Sequence, residues 1–319
     1  MRRWVLIAVL LPLLALILGI GPPRAAAESR SAPSTASPGY WLVTASGTTY
    51  AFNAPDLASS SHENVGKEDC GNGPTPGGPP QVITCTGISA TTDGQGYWIG
   101  ESARFVANGI VQYAVVGLPQ GAVATSAEFN CAGGPVSAGA YLPAPTSGIA
   151  AAPIGVWLAT ADGGVFASCG AEFHGSMGGT RLNQAIVGIA ATPDGGGYWE
   201  VASDGGVFAF GDAGFHGSMA DVHLNKPIVG MAVTQDGKGY WLGASDGGVF
   251  SFGDAQFGGS MGGKPLSAPM TGIARNPDGT GYWTVAADGG VFAFSGAPFL
   301  GSEGGQLQDA AVVGIASRG

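Results

Sequence analysis

The sequence predicts an all-β fold built from one small unit used six times. Three observations predict it. Trp157, Trp199, Trp241 and Trp283 recur every 42 residues, as do the Asp-Gly-Gly triplets that begin at Asp162, Asp204, Asp246 and Asp288. A fixed period of this length marks a repeat architecture. Each unit is a series of short apolar and β-prone runs separated by Gly, Asp and Pro, with no helical periodicity. The chain ends complement each other: "AVVGIASRG" at residues 311–319 reads as a first strand with no second, and "SPGYWLVT" at residues 37–44 opens on a second strand with no first. Joined, they complete one unit and remove the sheet edges that an open array exposes. The expected fold is a six-bladed β-propeller, with about 42 residues per four-stranded blade and the ring closed by the C-terminal strand.

In chain order, residues 1–27 read as a signal peptide. Arg2 and Arg3 precede an apolar run from Trp4 to Ile20, and Ala25-Ala26-Ala27 supplies a small-residue cleavage site. Residues 28–37 form a short tail, and residues 38–319 the propeller. No later segment is long and apolar enough to span a membrane as a helix. The expected location is therefore extracellular. The full chain carries a net charge of −10, and removal of Arg2, Arg3 and Arg24 makes the remainder more acidic still. Such a surface repels phosphate backbones, which excludes nucleic acid as a partner.

Trp41 and Trp98 fill the repeated Trp slot at looser spacings of 57 and 59 residues to the next Trp, so the first two units carry insertions, at about 57–85 and 100–147. The fourth unit shows the regular plan. "IVGIAAT" (Ile186 to Thr192) is a first strand whose small residues suit the crowded centre of a ring. "PDGG" turns the chain, "YWEVA" (Tyr198 to Ala202) is the second strand, and Asp204-Gly205 suits a two-residue type I′ hairpin turn. "VFAF" (Val207 to Phe210) is the third strand and "FHGSM" (Phe215 to Met219) a fourth, outer one. The Trp residues fill the gaps between blades.

The wording "GYW…ASDGGVFAFGDA.F.GSMGG" resembles the repeat arrays of secreted actinobacterial proteins of unassigned function. The resemblance is close over residues 148–319 and limited to "GYW" and "GI.A" over residues 38–147. It implies the propeller fold and export, and no activity. The Asp-Gly-Gly turn is also similar to the aspartate-box turn of sialidase propellers, but the Ser and Trp of that motif are out of register, so no sialidase chemistry transfers.

"HGSMG" is not a nucleophile elbow, because His174 stands at its first Gly position, and there is no HExxH, no CxxC and no phosphate loop opening a helix. The repeated Asp residues read as turn formers. His174 and His216 share a slot that holds Gly258 and Leu300 in the next two units, so they read as solvent-side residues of an outer strand. No cofactor or metal is called for. Candidate ligand-binding residues fall where the repeat is broken, because irregular loops on a regular scaffold commonly carry function. They are His62, Glu63, Glu68 and Asp69 in the first insertion, and Glu101 and Arg104 in the second unit.

Four Cys in an exported chain suggest two disulfides. Cys70 and Cys85 bracket the first insertion. Cys131 lies in "AEFNC", which aligns with "AEFHG" at residues 171–175 of the next unit, just after Cys169. The expected pairs are Cys70–Cys85 and Cys131–Cys169. The expected function is a secreted, monomeric, non-catalytic binding or scaffolding propeller for an extracellular glycan or protein. The alternative is an exported hydrolase or lyase with its site at the channel mouth, where two or three ionisable residues would converge.

Overall fold

A computed structural model describes residues 38–54, 82–92, 94, 96–107, 110–115, 118–120, 141–306 and 308–318. The expected signal peptide, tail and most of the first insertion lie outside these residues. The described chain is all-β, with six sheets in a propeller-like arrangement.

In chain order, β1 (Gly39–Thr44) and β2 (Thr49–Phe52) form a hairpin. The second sheet holds β3 (Val82–Ala90), β4 (Tyr97–Ala107), β5 (Ile110–Val115), β6 (Leu118–Gln120) and β7 (Tyr141–Leu142). Four regular sheets follow. They are β8 (Thr146–Ala151), β9 (Val156–Thr160) and β10 (Val165–Ser168); β11 (Ile186–Ala191), β12 (Gly197–Ala202) and β13 (Val207–Gly211); β14 (Ile228–Val233), β15 (Gly239–Ala244) and β16 (Val249–Gly253); and β17 (Met270–Arg275), β18 (Tyr282–Ala286) and β19 (Val291–Phe294). In each the middle strand pairs antiparallel with both others. The last strand, β20 (Val312–Arg318), pairs antiparallel with β1, with Trp41 opposite Ala316 and Leu42 opposite Ile315. The first strands of successive sheets touch in sequence, β3 with β8, β8 with β11, β11 with β14 and β14 with β17, and β20 touches both β17 and β3.

Middle strands are buried along their whole length, while third strands are half-buried. That gradient explains the composition. A strand with neighbours on both faces takes Tyr, Trp, Leu and Val throughout, and the first strands, which crowd one another, take Gly and Ala. Gly148 shows the constraint, because a Cβ there would sit 3.0 Å from the backbone of Gly188 in the next first strand. The core lies between sheets. Trp157 packs on Tyr198, Trp199 on Tyr240, Trp241 on Tyr282, Trp283 on Tyr40 and Trp41 on Tyr97, with ring centroids 5.1–6.0 Å apart. Tilted aromatic pairs of this kind add about 0.5–1.5 kcal/mol each beyond the area they bury.

Two expectations need correction. The regular sheets have three strands, not four. The segment expected as a fourth strand, Phe215 to Met219 and its equivalents, is irregular. The reason is local. Gly175, Gly217, Gly259 and Gly301 in this segment have φ of +117° to +142°, far from strand geometry. Their neighbours' backbone groups are satisfied by tyrosine hydroxyls rather than by a ladder, as described below. The Asp-Gly-Gly turn also differs from the expected two-residue type I′ form. Gly205 N–H donates to Ala202 O and Ala202 N–H to Gly206 O, and of Asp204 and Gly205 only the glycine has positive φ. This is a three-residue loop closed by a glycine in the left-handed region. Asp204 Oδ1 accepts the Gly206 N–H at 3.0 Å, an Asx turn that recurs at Asp162, Asp246 and Asp288.

Candidate functional site

The loop after each third strand carries one outward phenylalanine. Phe173, Phe215, Phe257 and Phe299 hold the same position in four successive units and are 55%, 62%, 61% and 63% exposed. These rings are not loose. The carbonyl before each Phe accepts a hydrogen bond from the indole Nε1 of that unit's own Trp: Trp157 to Glu172, Trp199 to Gly214, Trp241 to Gln256 and Trp283 to Pro298, at 2.7–2.8 Å. The backbone after each Phe is held by the next sheet. His174 N–H donates to the Tyr198 hydroxyl, which donates in turn to Gly175 O. His216 and Gly217 are held in the same way by Tyr240, and Gly258 and Gly259 by Tyr282. Tyr40 donates to Gly301 O at 2.6 Å. Burial pushes the Tyr40 phenol up to about 12, so it remains a donor through the neutral range.

The glycine of this clamp is obligatory. A Cβ on Gly217 would sit 2.5 Å from the Phe252 ring, and one on Gly301 2.5 Å from the Phe52 ring. The clamp therefore fixes the backbone on both sides of each Phe and leaves the ring in water. None of the four rings stacks on another aromatic ring among the described residues. A fixed aromatic face costs little conformational entropy on binding, since its backbone is already ordered.

The two repeated histidines are not solvent-side residues. His174 packs against Trp157 and Tyr198, and its Nε2 is buried without a hydrogen-bond partner. His216 packs against Tyr240, and its Nε2 lies 3.1 Å from Gly237 O. They fill space beside the clamp; at the equivalent Gly258 that room is absent, since a Cβ there would run into the Ser295 side chain. His223 is exposed.

Of the residues expected to bind a ligand, His62, Glu63, Glu68 and Asp69 lie outside the described residues, as do Cys70 and Cys131. Glu101 and Arg104 stand on β4, in register with Cys85 and Val82; their side chains lie outside the description. The expected first insertion ends in regular structure, since Val82–Cys85 belongs to β3 and Cys85 is buried beside Trp41 and Ile88. Neither Cys85 nor Cys169 is a free thiol. No group of three or more His, Cys, Asp or Glu among the described residues is placed to hold a metal ion.

Two ionisable residues escaped the sequence reading. Glu200 is fully buried in the middle of β12, where the neighbouring units have Leu158, Leu242 and Thr284. Its Oε2 accepts the Met177 N–H at 3.3 Å, and its Oε1 is buried without a partner. In later units the equivalent N–H groups, of Met219, Met261 and Glu303, donate to the glycine carbonyls of the Asp-Gly-Gly turns. Glu200 thus takes the place of a turn carbonyl. Burial pushes its carboxyl up to about 8, opposed by the Met177 N–H and reinforced by the charge of Asp162. Arg275 is the second. It ends β17 at a slot that holds Ala151, Ala191, Val233 and Ser317 elsewhere. Both were visible as departures from the repeat.

No protein-family model and no curated protein matches this chain.

Proposed function

We propose that the protein is an exported, non-catalytic binding module: a six-bladed β-propeller whose ring is closed by β20 and whose ligand is gripped by the repeated phenylalanines. The carrying observation is the row of Phe173, Phe215, Phe257 and Phe299, each exposed and each clamped by a Trp and, on the following residues, by a Tyr. The β20–β1 pairing and the chain of first-strand contacts support the closed ring. The basic, apolar and small-residue order of residues 1–27 supports export, and the resemblance to secreted actinobacterial repeat proteins agrees with it. Disulfides Cys70–Cys85 and Cys131–Cys169 fit an extracellular chain.

The ligand class we favour is a cell-envelope glycan. Single aromatic faces repeated along a scaffold suit stacking on successive sugar rings, whereas a protein interface needs a contiguous apolar core. Separate weak contacts at fixed spacing add up through avidity. A hydrolase or lyase at the channel mouth is less well supported. Among the described residues that line the central cavity, Arg275 alone is ionisable, and an arginine is no acid or base near neutral pH.

Co-sedimentation of the full chain with purified cell-wall polysaccharide tests the reading. Replacing all four phenylalanines by Ala should weaken binding more than tenfold, and any one replacement only a few-fold. Unchanged binding of the quadruple variant would overturn the phenylalanine site. Binding to a protein component of the envelope, lost in the same variant, would replace glycan by protein as the ligand.

A further inference from the structure

The first strands of all six sheets line a cavity of about 340 Å³. Each strand contributes one large apolar residue: Ile88, Ile149, Ile189, Met231, Ile273 and Ile315. Two positions further along each strand the lining is small or apolar in five strands, and in the sixth it is Arg275. Arg275 is half-buried. The one ion pair among the described residues, Lys238 with Asp236, is elsewhere. Among the described residues, the acceptor offered to Arg275 is the carbonyl of Pro277, at a long 3.4 Å. A guanidinium presents five N–H donors in a planar fork. Most of that capacity finds no acceptor among the described residues, in a site where burial pushes the group below its ordinary pKa. A cation partly removed from water without a counter-ion is unfavourable, and an anion from solution would relieve it. The hydroxyl residues Thr92 and Ser317 line the same cavity.

We propose that this cavity binds a small organic carboxylate with an apolar body, the carboxylate held by the fork of Arg275 and the body resting on the apolar lining. A guanidinium matches a carboxylate in two parallel hydrogen bonds, which sets orientation as well as strength. The volume lies at the small end of ligand sites; the exposed lining is divided about evenly between polar and apolar atoms, and the apolar part is the band formed by Ile88, Ile149, Ile189, Met231, Ile273 and Ile315. An inorganic anion would use the anchor and leave the walls in contact with water. This site is separate from the phenylalanine loops, so its test does not depend on them.

The test is isothermal titration of the full chain at pH 7 and constant ionic strength with three probes: hexanoate, hexan-1-ol and sulfate. Hexanoate should bind saturably at one site per chain. Hexanol, which has the apolar body without the charge, and sulfate, which has charge without the body, should each bind at least tenfold more weakly. Arg275→Gln should lower hexanoate affinity at least tenfold, and Arg275→Lys should fall between. Absence of saturable hexanoate binding, hexanol or sulfate binding as tightly as hexanoate, or an unchanged affinity in Arg275→Gln would each overturn the proposal. If the Gln variant does not fold, the three-probe comparison on the unaltered protein decides.

Discussion

The hydroxyl of Tyr40 donates a hydrogen bond to the carbonyl oxygen of Gly301, 261 residues away in the chain. The bond repeats between the last loop and the first strand what Tyr198, Tyr240 and Tyr282 do between neighbouring units with Gly175, Gly217 and Gly259. Tyr40→Phe should therefore cost as much as Tyr198→Phe, about 1 kcal/mol each for a hydrogen bond whose acceptor stays half-buried. Urea midpoints of the two variants measure this. A neutral Tyr40→Phe beside a costly Tyr198→Phe would mean that the first and last units do not join in solution.

The clamp glycine Gly217 should resist a side chain more strongly than Gly263, a positive-φ glycine in open space. Gly217 has φ +131° and a would-be Cβ 2.5 Å from the Phe252 ring; Gly263 has φ +75° with nothing within 4 Å. Gly263→Ala should cost about 1–2 kcal/mol, the backbone penalty alone. Gly217→Ala should cost clearly more, because the Phe252 ring must move as well. Equal losses in the two variants would show that the ring gives way freely.

Glu200 should make stability fall as pH rises. Its folded pKa, about 8, lies above the ordinary value of 4.5, so between these values the folded chain binds more protons than the unfolded one. Stability linked to this group is complete below about pH 4.5 and is lost as pH climbs through about 8. At about 1.36 kcal/mol per pKa unit the loss is on the order of a few kcal/mol. Glu200→Leu, which restores the residue of Leu158 and Leu242, should be more stable than the parent at pH 8 and should flatten the slope between pH 5 and 8. The check is urea unfolding at both pH values, and a slope that persists in the Leu variant assigns the effect to another group.

The strands and the order of the units were legible in the sequence because two signals agree there. Burial on both faces selects Tyr, Trp and Val for the middle strands, and the Asp-Gly-Gly turns punctuate them. "FHGSM" misled because Phe and Met look β-prone. Its conformation is set by Gly217 against the Phe252 ring and by the Tyr240 hydroxyl, neither of which is local. For the same reason the outward face of Phe215 could not be read: composition marks a ring as apolar but not which side of a loop it leaves. Glu200 and Arg275 could have been found by aligning the units with one another, since each is a charge in a slot otherwise held by Leu, Ile, Thr, Ala, Val or Ser.

The disulfides should be Cys70–Cys85 and Cys131–Cys169. A Cys70–Cys85 bridge closes a loop of 14 intervening residues, worth about 3 kcal/mol in the chain-entropy model. Cys85 is buried on β3 in the core cluster that holds Trp41. Cys70→Ser should therefore expose a free thiol at Cys85 only on unfolding, and should lower stability by about 3 kcal/mol or less. Peptide mapping without reductant checks the connectivity, and a Cys70–Cys131 or Cys70–Cys169 peptide would refute it.

Two locations compete for the ligand: the first insertion, with His62, Glu63, Glu68 and Asp69, and the clamped phenylalanines. They can be separated by one deletion placed with care. Replacing residues 57–85 would cut into β3 and remove buried Cys85, so loss of binding there would report on folding. Replacing residues 57–81 with a short Gly-Ser linker leaves β3 whole; it also removes Cys70 and the Cys70–Cys85 bridge, so Cys70→Ser is the control for the loss of that bridge. Lengthening or shortening a surface loop has a small entropic effect on the rest of a fold. If the phenylalanines carry the binding, this variant should keep the parent's polysaccharide affinity within about twofold, while the four-Phe variant loses more than tenfold, or about 1.4 kcal/mol. Co-sedimentation of both variants side by side measures it. The opposite pattern, binding lost with the insertion and kept without the phenylalanines, would return the site to His62, Glu63, Glu68 and Asp69 and reduce the phenylalanine row to a by-product of the clamp.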